Sequence, residues 1–511
     1  MQNNSHRVIN FTLIGLIYVG LILLLISKGQ FLLSGLLALF PFAVSLVLNR
    51  ERVFIYSLYA SVALIGIPGI RLDSVAAGML FQFAVVFVFA VNILMQNERA
   101  KRPDLCGWLL IIFLLNMLIT ASIRGFGLYR LGGNMIGGMT YIQILIGFLF
   151  FLYLRGQNFS PEKVEKLFLV MVGLSAVPLL AQMFLGMTPA LMKLGDFFVF
   201  NKTRFYGSAG SLSGRYETAV NFSYLLICLG VILKAEKKWW GVLLPAVGVL
   251  LLLANGFRRY MVLSMFIFGV STLLLSKRRV VTFLLLCGLG VGGLGFVYAI
   301  APRLPPNIQR SVSFLPGIQV EAEALYDAEG SSEWRGGIFE YAKDAFPDYW
   351  LLGKGLLLSI EDTMFELAYR DRIGWADSFS VFNTHNYHSG IIELLMDLGV
   401  IGFSSFVLFC LISLRTVWRQ IMRANNGTRL WRIMTVLWSV CVALLADYLL
   451  FRGEFKVFIA TFLLFYGLMI LAYNSHVQRI RSASPLAADL DVNYSTAPRH
   501  SRAGSSFRSA V

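Results

Sequence analysis

Charge is what this sequence has least of. Asp, Glu, Lys and Arg make up 14% of its 511 residues, against about 25% in a soluble domain. Apolar residues take up the difference at 57%, and mean hydropathy is +0.70. That balance excludes a chain surrounded only by water. Cysteine is scarce too. The five present (Cys106, Cys228, Cys287, Cys410 and Cys441) sit singly inside or at the ends of apolar runs. Their spacing excludes a disulfide framework and a cysteine zinc site, and leaves them to pack as small hydrophobes. The first apolar run, 8–27, is not followed by a small-residue cleavage site, so it reads as a membrane helix rather than a leader. No internal repeat stands out.

What is there in abundance is apolar sequence of one length. Runs near 20 residues recur, the length a helix needs to cross about 30 Å of hydrocarbon. They read as spans at 8–27, 31–49, 53–70, 73–95, 106–122, 134–154, 164–186, 216–233, 239–256, 259–276, 280–301, 389–414, 431–451 and 457–474. The expected fold is therefore all-α, a polytopic integral membrane protein of about fourteen transmembrane helices, since backbone polar groups in lipid must be paired within the span. Basic residues recur in alternate connections: Arg50 and Arg52; Arg99, Lys101 and Arg102; Arg155, Lys163 and Lys166; Lys234, Lys237 and Lys238; Lys277, Arg278 and Arg279; Arg415 to Arg432; Arg479 and Arg481. The intervening short connections are poorer. Short cytoplasmic loops are the positive ones, which puts both termini in the cytoplasm. This explains the net charge of +16 without a nucleic-acid partner.

Five regions follow: N-terminal spans 1–186, spans with arginine-bearing outer turns 187–301, a large outer loop 302–388, C-terminal spans 389–475, and a Ser-, Ala- and Arg-rich tail 476–511, expected to be disordered. The outer face gathers Arg204 and Arg215, then Arg258 and Arg259 at a tight turn, then Arg335 in the loop. The loop ends in Thr384-His385-Asn386-Tyr387-His388-Ser389, which holds two of the protein's five histidines. A guanidinium fork donates paired hydrogen bonds to phosphoryl oxygens. An imidazole with an ordinary pKa of about 6.5 takes protons near neutral pH. Together they suit transfer chemistry on a lipid-borne phosphate, although arginines at helix ends also snorkel to headgroups. A metal reading is weaker. His385 and His388, three apart, would share a helix face, but Glu393 and Asp397 lie one to two turns deeper and complete no ligand set.

The run from His388 through Glu393, Asp397 and Gly399 to Gly402 resembles the signature of the O-antigen ligase and polysaccharide polymerase superfamily, with Ser389 in place of the usual Asn. The dipeptide His385-Asn386 is a rival register that leaves three residues too many before the glycines. Arg204-Phe205-Tyr206-Gly207-Ser208, Gly256-Phe257-Arg258, and Arg335, Phe339 and Gly353-Lys354-Gly355 resemble further family segments, in the same order.

The resemblance implies a glycosyltransferase of the bacterial inner membrane, inverting and metal-independent, working without a cofactor at the periplasmic face. Its donor would be an undecaprenyl-pyrophosphate-linked oligosaccharide and its acceptor a glycan or a lipid-linked glycan. Arg204, Arg215 and Arg258 would bind the pyrophosphate, with Arg259 and Arg335 beside them, and His388 or His385 would assist the acceptor. The slight preference within the superfamily is for exopolysaccharide polymerases. Two other classes compete: a flippase moving lipid-linked saccharides, and a non-catalytic component of envelope assembly. A carrier needs polar groups through the midplane, and the spans hold almost none, Asp447 being the main exception.

Overall fold

The computed structural model describes residues 104–126, 138–157, 159–185, 219–255, 258–304, 309, 312–313, 315–356, 385, 387–423, 427–453 and 455–482, with isolated residues between 82 and 90. The spans expected at 8–27, 31–49 and 53–70, all but those isolated residues of 73–95, the tail from 483, Arg204 and Arg215 lie outside them. Among the described residues there is no strand.

The helices run α1 (Leu105–Arg124), α2 (Met139–Gly156), α3 (Pro161–Leu185), α4 (Ala219–Ala235), α5 (Trp240–Asn255), α6 (Arg258–Leu275), α7 (Arg279–Ile300), α8 (Ala322–Tyr349), α9 (Gly390–Arg423), α10 (Arg429–Asp447) and α11 (Phe455–Ser482). Each of the ten later apolar runs coincides with one of these to within a few residues, except that α9 and α11 continue past the spans expected for them. Leu105–Arg124, Arg279–Arg303, Gly390–Arg423 and Arg429–Phe451 are long and apolar enough to cross a membrane. α8 is the exception in kind, a helix inside the stretch 302–388 that was expected only as a loop.

The core is aromatic. Phe113 of α1 meets Phe148 of α2 and Phe406 of α9 at centroid distances of 5.3 and 5.4 Å, and Phe406 meets Phe455 of α11 at 5.4 Å. Along α11, Phe458, Phe462 and Tyr466 stack one turn apart at 4.9 Å, the spacing that i,i+4 residues share on a helix face. Offset and tilted ring pairs of this kind add about 1 kcal/mol each beyond burial.

The two ends of the bundle differ. At one, Glu236 after α4 bonds Lys238, Arg429 and Arg432 at 3.4–3.5 Å. Arg155 pairs with Asp104 there, and Asn474 and Ser475 of α11 bond the carbonyls of Arg155, Gln157 and Phe159. These are the connections that the charge pattern grouped on one side. At the other end Arg124 meets Tyr349 of α8, and α8 packs on the residues just before α9.

Candidate functional site

α9 does not start at the histidines. It starts at Gly390, where a Cβ would press on the ring and carbonyl of Tyr448. His385 and His388 both precede it in the left-handed region, at φ +59° and +51°. The shared helix face that would have made them paired metal ligands therefore does not exist. Among the described residues, no group of three His, Cys, Asp or Glu could hold a metal ion.

α9 then breaks at Gly399, whose φ of +64° is outside the helical range. Glycine alone adopts this without penalty, and a Cβ here would also collide with the Leu351 backbone. The break turns carbonyls of the first half-helix outward, and the extended segment after α8 takes them up. Lys354 N donates to Met396 O at 2.7 Å and Gly355 N to Asp397 O at 2.9 Å, while Val400 N donates to Trp350 O at 2.8 Å. Gly353, at φ +85°, lies so close to the Asp397 carbonyl that any side chain would strike it. α1 and α2 hold the same segment from behind. Thr120 Oγ1 donates to Leu352 O and Leu356 N to Tyr141 Oη, each at 2.7 Å. Asn116 Nδ2 donates to Leu398 O at 2.8 Å. The glycines quoted from both motifs thus serve one junction.

Asp397 sits inside that junction, 1% exposed. Its Oδ1 accepts from His385 Nδ1 at 2.7 Å and from the Tyr387 hydroxyl at 3.4 Å. Sequence distance had set Asp397 apart from the histidines; with His385 and His388 both at positive φ ahead of Gly390, His385 comes back along about two turns of α9 to reach it. Leaving a buried carboxylate unpaired costs several kcal/mol, so the pair is the condition for burying Asp397 at all. Glu393, four residues earlier on the same face and also buried, is offset differently: its Oε1 accepts the Phe455 N at the start of α11, at 2.7 Å, where the helix dipole favours an anion. Between α10 and α11 the chain makes a π-helical turn, Tyr448–Arg452, ending at Gly453, which abuts the His388 and Ser389 backbone. His388 is half-buried at this corner and His385 is enclosed.

The remaining expected residues fall as follows. Arg258 opens α6. Arg259 places its guanidinium 4.8 Å above the Tyr260 ring and bonds that hydroxyl at 3.0 Å. Arg335 falls within α8. α8 packs on the histidine segment through Ile338 and Ala342 against Tyr387 and Met396, with Phe346 and Tyr349 beside them. Arg124, which closes α1, stacks over Tyr349 at 5.2 Å and so also borders this junction. Its signal was position alone, a lone cation closing a span.

The kinked α9 with two half-turn histidines and a glycine clamp is the segment that the family comparison covers. Residues 241–407 match the O-antigen ligase family. The match runs from α5 through the junction to the first half of α9, and supports the superfamily resemblance drawn from the motifs. No curated protein matches the chain. The chain thus carries a segment similar to the O-antigen ligase family among helices apolar and long enough to cross a membrane.

Proposed function

We propose that the protein is a membrane glycosyltransferase that transfers or polymerises glycan repeats carried on undecaprenyl pyrophosphate, at the periplasmic face of a bacterial inner membrane. The observation that supports this most is the coincidence of the O-antigen ligase segment with the built corner at 385–402, on the end of the bundle opposite the basic connections.

In this reading the acceptor sugar hydroxyl attacks the anomeric carbon of the donor. The new C–O bond forms as the bond to pyrophosphate breaks, and the pyrophosphate departs with the electron pair. The hydroxyl proton passes to His388, which is half-buried and borders the corner. Arg204, Arg215 and Arg258, together with Arg259 and Arg335, hold the departing charge by paired hydrogen bonds. A pyrophosphate is already a good leaving group, so a cationic clamp does the work that a metal does elsewhere. Attack from the face opposite the leaving group makes the transfer inverting.

The test is direct. Purified protein is mixed with undecaprenyl-pyrophosphate-linked oligosaccharide from the host membrane, with and without a chelator. Release of undecaprenyl pyrophosphate and growth of the glycan, unchanged by the chelator, is the expected result. Movement of the intact donor across a vesicle bilayer, with no glycan joined, would establish the flippase reading instead. Products carrying several repeats mark a polymerase, and transfer to a lipid or protein acceptor marks a ligase.

A further inference from the structure

Two separate parts of the polar stretch 302–388 converge on Asp397. Its carbonyl holds the segment that leaves α8, through Gly355 N, and its carboxylate holds the turn that enters α9, through His385 and Tyr387. The geometry separates the two histidines by role. His385 is 4% exposed and bound through Nδ1, too enclosed for a sugar hydroxyl to approach. His388 is half-buried, and its backbone rests against Gly453 at the corner. Both hold positive φ, which an L-residue with a side chain keeps only where its surroundings enforce it. Contacts that enforce it come from Asp397 on one side and Gly453 on the other.

We infer that Asp397 is a positioning residue of the transfer reaction: by gripping His385 and Tyr387 it fixes the 385–389 turn, and so sets where the His388 imidazole stands. His385 is then an anchor and not the proton acceptor. The inference rests on the reading of His388 as that acceptor, and it adds an acidic residue that the motifs placed only as spacing.

Two readouts test it in the full-length protein. One is surface polysaccharide made by cells that lack the protein and receive a variant. The other is the rate at which diethylpyrocarbonate modifies His388, read by mass spectrometry on detergent-solubilised protein. Asp397→Asn keeps an acceptor oxygen for His385 Nδ1–H, whereas Asp397→Leu keeps none. Asp397→Leu is expected to lower polysaccharide by more than about tenfold and Asp397→Asn by less than about threefold, since only the first leaves the donors unpaired. His388 modification should change by about threefold or more in Asp397→Leu and return towards wild type in Asp397→Asn. His385→Gln combined with Asp397→Leu should be no worse than Asp397→Leu alone, because residues of one network do not add. An unchanged His388 rate in Asp397→Leu that still enters the membrane and melts cooperatively, or losses that multiply in the double variant, would overturn the inference. Polysaccharide undiminished by His388→Ala, with His388 reactivity in wild-type background still responding to Asp397, would sink the catalytic reading and leave the positioning geometry standing.

Discussion

Gly399, His388 and Arg258 carry different kinds of necessity. At Gly399 the backbone conformation and the Leu351 contact both refuse a side chain. Gly399→Ala should therefore cost at least about 2 kcal/mol, the scale of a strained backbone residue with a clash added. It would be measured as a lower melting temperature of the solubilised protein; an unchanged melting temperature would mean the kink is not needed. At His388 the need is chemical. His388→Ala should abolish glycan transfer and His385→Ala reduce it modestly, and the reverse order would make the enclosed histidine the proton acceptor. Arg258→Lys should lose most activity, because an ammonium cannot reproduce the paired contact; full activity from the lysine variant would remove the clamp. At this scale the sequence was legible in residue type and opaque in partnership. Asp397 was visible as part of a spacing, but its bond to His385 depends on two left-handed residues and a helix that begins at Gly390. No periodicity encodes that.

Among the elements, the apolar helices were legible because apolar runs near 20 residues, the length a bilayer asks of a helix, recur in the sequence. α8 was not. Gly330, Ser331, Ser332, Gly336 and Gly337 interrupt its first half, and eight acidic side chains between 321 and 348 make it read as polar loop. Only the spacing Ile338, Ala342, Ala345, Phe346 and Tyr349 marked a buried face, and that face packs on the histidine segment. α9 and α11 meet through a different device. Glu393 receives the first amide of α11, so its loss leaves a buried donor unpaired. Glu393→Leu should destabilise by about 1–3 kcal/mol, whereas Glu393→Gln, which keeps an acceptor oxygen, should cost less. Equal losses in thermal melts of the two would show that the carboxylate charge matters and the cap does not.

The described helices form a bundle with a basic end and, opposite it, the end where glycan transfer is proposed. The basic end carries a pH-sensitive feature. His476, beyond the apolar span 457–474 of α11, is buried, and neither ring nitrogen has a hydrogen-bond partner among the described residues. Burial, then the nearby Arg479 guanidinium, pushes its pKa below the ordinary 6.5. The folded state thus prefers the neutral ring, and the unfolded chain binds the proton first. Stability from this group is complete above pH 6.5 and declines as pH falls from there through the lowered folded value. Melting temperature should fall between pH 7.5 and pH 5.5 in the wild-type protein and fall less in His476→Phe; identical pH slopes would show that this ring stays neutral in both states or finds a partner. The transfer end carries the central claim, that a cationic clamp and the His388 imidazole act together on a lipid-linked pyrophosphate. Its most direct test is lipid-linked glycan in cells whose sole copy carries His388→Ala in place of the wild type. The account predicts that surface polysaccharide disappears while the unjoined undecaprenyl-pyrophosphate-linked repeat accumulates at the periplasmic face. Normal polysaccharide, or accumulation at the cytoplasmic face, would contradict it.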